Sequence, residues 1–219
     1  SASNVLTISL SIIALGFISR TLGGLFFGRL ADMRGRKKSL IMATKLMMVP
    51  SFLILILPSY HQVGMISTVV LLMLRVLQGF SIGGEYASLL VVAFENTPRG
   101  LRGIGLSLIN MSASAGVMLS SAVVFLITKC LTIQEIIGWG WRLPFFLGFG
   151  LTIISLLVQQ NMNESEQYLR LETQNKVSKQ PLVESLRNYT LEIVTAFFMY
   201  LLYVSLYYTF VTYFPLFFQ

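Results

Sequence analysis

Charged side chains set inside long apolar runs are the residues here that could do chemistry. Arg20, Lys45, Arg75, Glu85 and Glu192 each lie within a stretch that is otherwise oily. Lys45 and Glu192 stand within two turns of a run's end, where a long side chain reaches the surface along its own stem, and they need no chemical role. Arg75 is different, because it falls near the middle of the run 65–93. An arginine there is costly unless it faces protein or water. Glu85 follows ten residues later, which on a helix is ~15 Å deeper and ~80° round the axis. The two are therefore not a direct pair, and each needs partners on other helices. A carboxylate at that depth is a proton-handling group or half of a structural ion pair, and both readings are open at this point. Arg20, about two turns from the inner end of its run, divides between a substrate or proton path and structural pairing.

Uncharged polar groups in the same runs could line a cavity beside these charges. Gln78 and Asn110 are candidates, together with Tyr200, Tyr203 and Tyr207. The three tyrosines share one helix face at spacings i, i+3 and i+7. Such a face suits a cavity wall, a cation held over ring faces, or helix packing. Small residues recur four apart at Gly24 and Gly28, at Gly79 and Gly83, and at Ser112, Gly116 and Ser120. These are faces on which helix backbones can approach closely.

The elements that must position these residues are membrane helices. The chain is 55% hydrophobic and 11% charged, against about 25% charged in soluble domains, and its mean hydropathy is +0.74. Six runs approach or exceed the ~20 residues needed to cross a bilayer: 5–27, 39–57, 65–93, 104–127, 143–158 and 191–218. The fifth is short unless it starts near Trp139. Lys and Arg concentrate in alternate loops. Segments 28–38, 94–103 and 159–190 hold eleven, whereas 58–64 and 128–142 hold only Lys129 and Arg142. The first set is cytoplasmic by the positive-inside rule, so the first span runs inward and the last ends outside. Tyr60, Trp139 and Trp141 fall at the outer interface, where amphipathic rings anchor helices. The net charge of +7 is thereby a matter of topology, and nucleic acid is not an expected partner. The lone Cys130 permits no internal disulfide, and His61 has no companion ligands, so no metal site is expected. The start at Ser1 and the ending PLFFQ read as cuts through a longer protein.

One charged stretch sits between the first two runs: GRLADMRGRKKSL. Gly28, Leu30, Asp32, Gly35, Arg36 and Lys37 match the signature loop between the second and third helices of the major facilitator superfamily, which the chain resembles. RVLQGFSIGGEY, from Arg75 to Tyr86, resembles the fourth-helix motif, and its Gly-Gly-Glu is similar to the metabolite:proton symporters; RTLGGLFFG and YYTFVTYFP resemble the same branch, its proline/betaine carriers in particular. ENTPRGLRG resembles the following cytoplasmic loop, and WGWRLPFF the start of helix six. INMSASAGVMLSSAV lacks the Gly-Pro-rich motif of drug antiporters, which favours symport or facilitation.

The resemblance implies an all-α polytopic membrane protein, a major-facilitator-type bundle with six transmembrane helices here of a presumed twelve. The chain would be helices two to seven. Residues 1–160 would be most of the N-terminal bundle, 161–190 the cytoplasmic central loop, and 191–219 the first helix of the C-terminal bundle. It implies no enzyme but a secondary transporter of a bacterial inner membrane. The cargo would be a small polar metabolite such as a compatible solute or an organic acid, carried with a proton. The proton is the coupling ion and no other cofactor is expected. The lipid bilayer and the remaining helices would be its partners. Arg75 and Glu85 would couple the proton. Arg20, Gln78, Asn110, Tyr200, Tyr203 and Tyr207 would line the cavity. Gly28, Asp32, Gly35, Arg36, Lys37, Glu95 and Arg102 would form a cytoplasmic gate. An uncoupled facilitator and a non-transporting membrane remnant or interaction protein are the alternatives.

Overall fold

Lipid offers a backbone no hydrogen-bond partner, so each apolar run must satisfy its own N–H and C=O groups by coiling. A computed structural model describes residues 2–58, 60–178, 180–210 and 214, with backbone alone at 2–14, 61 and 208. All regular structure among these residues is helical. The helices are α1 (Ala2–Arg34), α2 (Arg36–Ile56), α3 (Tyr60–Val63), α4 (Met65–Asn96), α5 (Arg102–Cys130), α6 (Ile133–Gly138), α7 (Leu143–Asn161), α8 (Glu166–Thr173), α9 (Pro181–Asn188) and α10 (Thr190–Tyr208). Among the described residues five stretches are long and apolar enough to cross a membrane: Arg36–Ile56, Met65–Asn96, Arg99–Cys130, Gly140–Asn161 and Thr190–Tyr207. The 33-residue α1 contains the remaining expected span, 5–27. The fifth run reaches full length because a 3-10 turn at Gly140–Arg142 precedes α7. The far end of the run 191–218, with Tyr213, lies outside the described residues.

The stretch expected as a loop at 28–38 is almost entirely helix. Helix formers carry α1 through to Arg34, and α2 starts at Arg36. The whole turn is Gly35, at φ 108 and ψ 147, a region that residues with a Cβ rarely enter. A Cβ there would also run into the carboxylate of Glu164.

The structure divides into two units, Ser1–Val177 and Ser178–Gln219. In the first, α1 packs along α4, α2 packs on α4 and α7, and α8 follows beneath the inner ends. The α1–α4 seam is backbone against backbone. A Cβ on Gly79 would stand 2.5 Å from the Gly16 carbonyl oxygen; one on Gly83 would overlap the Arg20 carbonyl, and one on Gly23 the Phe80 carbonyl. The expected Gly79/Gly83 face of α4 is thus in use. On α1 the working position is Gly23 rather than the expected Gly24/Gly28 pair. Gly24 makes an ordinary 3.7 Å approach to the Gly83 carbonyl, and Gly28 has open space beside it. Residues one apart differ by about 100° on a helix, so Gly23 and Gly24 cannot both face the seam squarely.

Small hydroxyl residues fill much of this interior. Ser39 is fully buried and its Oγ donates to the Phe27 carbonyl at 2.7 Å, with Ser88 Oγ 3.2 Å away. The contrast is α5, none of whose residues is buried. Its Gly116 has nothing nearby, so the Ser112–Gly116–Ser120 face packs on nothing in this unit. The hydroxyls of Ser107, Ser112, Ser114, Ser120 and Ser121 each bond a carbonyl three or four residues back on α5 itself. Past the C-terminal end of α5, Thr132 and Glu135 form a reciprocal capping box at α6. Arg142 Nη2 donates to the Leu57 carbonyl at 2.8 Å, tying this loop to the end of α2.

Candidate functional site

Two polar layers stand out in the first unit. The inner layer is built on Arg36, at the first position of α2. Its guanidinium reaches Asp32 at 3.0 Å and Glu95 at 3.2 Å, and Nη1 donates to the Ala31 carbonyl at 2.9 Å. The Glu95 side chain is 9% exposed, whereas Asp32 keeps 45%. One buried arginine therefore joins the inner ends of α1, α2 and α4. Its guanidinium also lies 5.4 Å from the Tyr168 ring centroid. Asp32 lies past the apolar run, and burial pushes its carboxyl above the ordinary range. Arg36 opposes that rise and the Glu95 charge adds to it.

The segment after α7 clamps this layer from the other side. Glu164 Oε1 accepts from the Lys37 backbone N–H at 3.0 Å, satisfying a helix-start donor of α2 with a full negative charge. Lys37 Nζ donates to the Gln160 carbonyl at 2.7 Å, and the Tyr168 hydroxyl to the Met33 carbonyl at 3.2 Å. Glu164 and Tyr168 were missed by sequence reasoning. The usable signal was Ser165, whose side chain caps α8 by accepting from the Tyr168 N–H and so fixes where the chain turns back. Of the expected gate residues, Asp32, Gly35, Arg36, Lys37 and Glu95 come together. Arg102 does not join Glu95. Its guanidinium lies 4.1 Å from the Phe94 ring centroid, and its buried Nε and the buried Oε2 of Glu95 have no hydrogen-bond partner among the described residues.

The second layer lies within the spans. Glu85 on α4 is half-buried. Its Oε1 accepts from Thr44 Oγ1 on α2 at 3.0 Å and from Gln159 Nε2 on α7 at 3.4 Å. Among the described residues no cation lies within ion-pair distance of it. Thr44 and Gln159 were not singled out from sequence, although Gln159 was visible as a polar residue closing an apolar run. Arg75 stands apart from Glu85. It donates to Gln78 Oε1 at 3.1 Å, its guanidinium lies 4.9 Å from the Phe145 ring centroid, and Gln78 Nε2 contacts Ser51 Oγ at 3.5 Å. The arginine's nearest hydrogen-bond partner is thus on its own helix, with an α7 ring supplying the cross-helix contact. Arg20 is exposed, 5.1 Å from the Phe17 ring centroid. Asn110 accepts from the Tyr86 hydroxyl at 2.9 Å. In the second unit Tyr200, Tyr203 and Tyr207 form an exposed ladder on α10, with successive ring centroids 6.2 and 6.3 Å apart.

The model of the family described as sugar (and other) transporter matches residues 2–196. The chain belongs to this family, within the major facilitator superfamily. Its sequence is 37% identical over 157 residues to the glycine betaine/proline/ectoine/pipecolic acid transporter OusA of Dickeya dadantii, covering 72% of this chain and 31% of that protein. It is 32% identical over 174 residues to the shikimate transporter of Escherichia coli, covering 78% and 40%. The proton:xylose symporter XylE, solved with 6-bromo-6-deoxy-D-glucose bound, superposes with a TM-score of 0.69 at 20% identity over 80% of this chain and 39% of XylE. That likeness shows a major-facilitator fold. The chain spans under half the length of these relatives. The family is one of transporters, not enzymes, and the chain is a multi-pass protein of the inner membrane.

Proposed function

We propose that the polypeptide carrying this chain takes up a small polar metabolite together with a proton, by alternating access of two helical bundles around a site near the bilayer midplane. The observation behind this reading is Glu85. A carboxylate inside the spans, held among the described residues by a threonine and a glutamine from two other helices, needs a countercharge, and a proton supplies one. Arg75, whose amide neighbour is on its own helix, tunes or relays that proton. Arg20, Gln78, Asn110 and the α10 tyrosines line the cavity. Arg36 with Asp32, Glu95 and Lys37 forms the cytoplasmic gate, and Arg102 closes it in another state. The solute class is a zwitterionic compatible solute or an organic acid, as the names of the relatives suggest.

The test is uptake into proteoliposomes of the full-length polypeptide, with radiolabelled proline, glycine betaine and shikimate, with and without an inwardly directed proton gradient. The gradient should accelerate uptake at least several-fold in the natural protein. Glu85→Gln should abolish that acceleration while leaving solute exchange intact. Uptake indifferent to the gradient in the natural protein would make it an uncoupled facilitator.

A further inference from the structure

Gln159 is buried, with 6% of its surface exposed, at the point where α7 meets α2 and α4. Its Nε2 is fully used, donating to Ser155 Oγ at 2.9 Å and reaching Glu85 Oε1 at 3.4 Å. Its Oε1 is buried and has no hydrogen-bond partner among the described residues. A buried acceptor left without a donor is costly. It lies on the side chain that contacts the carboxylate to which the proposed function assigns the proton.

We infer that Gln159 is a positioning residue that serves both charge states of Glu85 by turning over its amide. With Glu85 ionised, Nε2 donates to the carboxylate, as observed. When a proton from water adds to a Glu85 oxygen, one O–H bond forms and the group becomes a donor that needs an acceptor. A half-turn about the last bond of Gln159, whose torsion is broad and roughly two-fold, brings Oε1 to that place. Ser155 Oγ can then donate to Oε1, where before it accepted from Nε2. When the proton leaves, the amide turns back. One end of the amide lacks a partner in either state: Oε1 when Glu85 is ionised, the Nε2 hydrogens when it is protonated.

The charges facing this pair are few. From α2 it meets Thr44, from α7 Gln159 with Ser155, and on α1 Phe27 lies against the adjoining Gly84. Lys45 and Arg20 are exposed, and among the described residues no charged side chain lies within ion-pair distance of Glu85. The neutral partners therefore decide how each state is held.

The inference rests on the proton reading of Glu85, and one experiment separates their failures. Infrared difference spectra of the full-length polypeptide in lipid are recorded between alkaline and acid pH. The C=O stretch of protonated Glu85 is the band that Glu85→Gln removes. In Gln159→Met, which keeps the volume, and in Gln159→Asn, which withdraws the amide by one methylene, that band should move to higher wavenumber as its acceptor is lost. A band that stays in place in both variants overturns the role of Gln159 and leaves the proton reading standing. The absence of any band that Glu85→Gln removes overturns both.

Discussion

A single methyl group tests the α1–α4 seam. In Gly79→Ala the new Cβ would lie 2.5 Å from the Gly16 carbonyl oxygen and 3.3 Å from its carbon. Ordinary non-bonded contacts sit at about 3.5 Å, so the two helices must part by roughly 1 Å, which forfeits about a quarter to a half of each facing contact. Forced overpacking of this kind costs ~1–3 kcal/mol. In a chain of this size each kcal/mol lowers the melting temperature by ~2–4 °C, giving a fall of roughly 2–12 °C. The flexible Ser19 hydroxyl also crowds the position but can rotate, whereas the carbonyl belongs to backbone and cannot. Gly116→Ala is the matched control, because nothing lies within 4 Å of that position. Both variants would be melted in the same detergent and followed by far-ultraviolet circular dichroism. Gly116→Ala should melt with the natural chain or slightly above it, since alanine is the better helix former. If Gly79→Ala melts with its control, the seam is not closed in solution and the reasoning fails.

Arg36→Ala should destabilise the first unit by about 3 kcal/mol, because it leaves the buried Glu95 carboxylate without its cation. Adding Glu95→Ala should recover part of that loss in a double-mutant cycle read by the same melts, and a strictly additive cycle would contradict the pairing. Asp32 carries a raised value in the folded protein, chiefly through burial. Its titration therefore supports the fold at acid pH, and that support fades as pH rises through the raised value. Asp32→Asn should flatten this part of the profile of melting temperature against pH, and an unchanged profile would contradict the assignment.

The membrane class and most span positions were legible because they rest on long apolar runs and on the cation bias of alternate loops, which no tertiary contact can override. The resemblance of two separate stretches, 28–40 and 95–103, implied that Asp32, Arg36, Glu95 and Arg102 belong together; Arg36 does bridge Asp32 and Glu95, whereas Arg102 turns to the Phe94 ring. What stayed hidden was contact across distance. The Lys37–Glu164 contact joins residues 127 apart, and the Glu85–Gln159 contact joins residues 74 apart. No local periodicity reports either. The choice of Gly23 over Gly24 and Gly28 turned on about 100° of helix rotation, which a four-residue spacing rule does not fix.

The hydroxyls of α5 bear on how such a helix is made. Five serines would ordinarily burden a segment entering hydrocarbon, where a polar group without a partner is expensive. Here each returns its proton to a carbonyl of the preceding turn, so the helix carries its own solvation into the bilayer. As far as these serines are concerned, the segment can enter lipid before a neighbour is in place. When a neighbouring surface arrives, the same hydroxyls can turn outward toward it, and assembly adds hydrogen bonds without first having to rescue any.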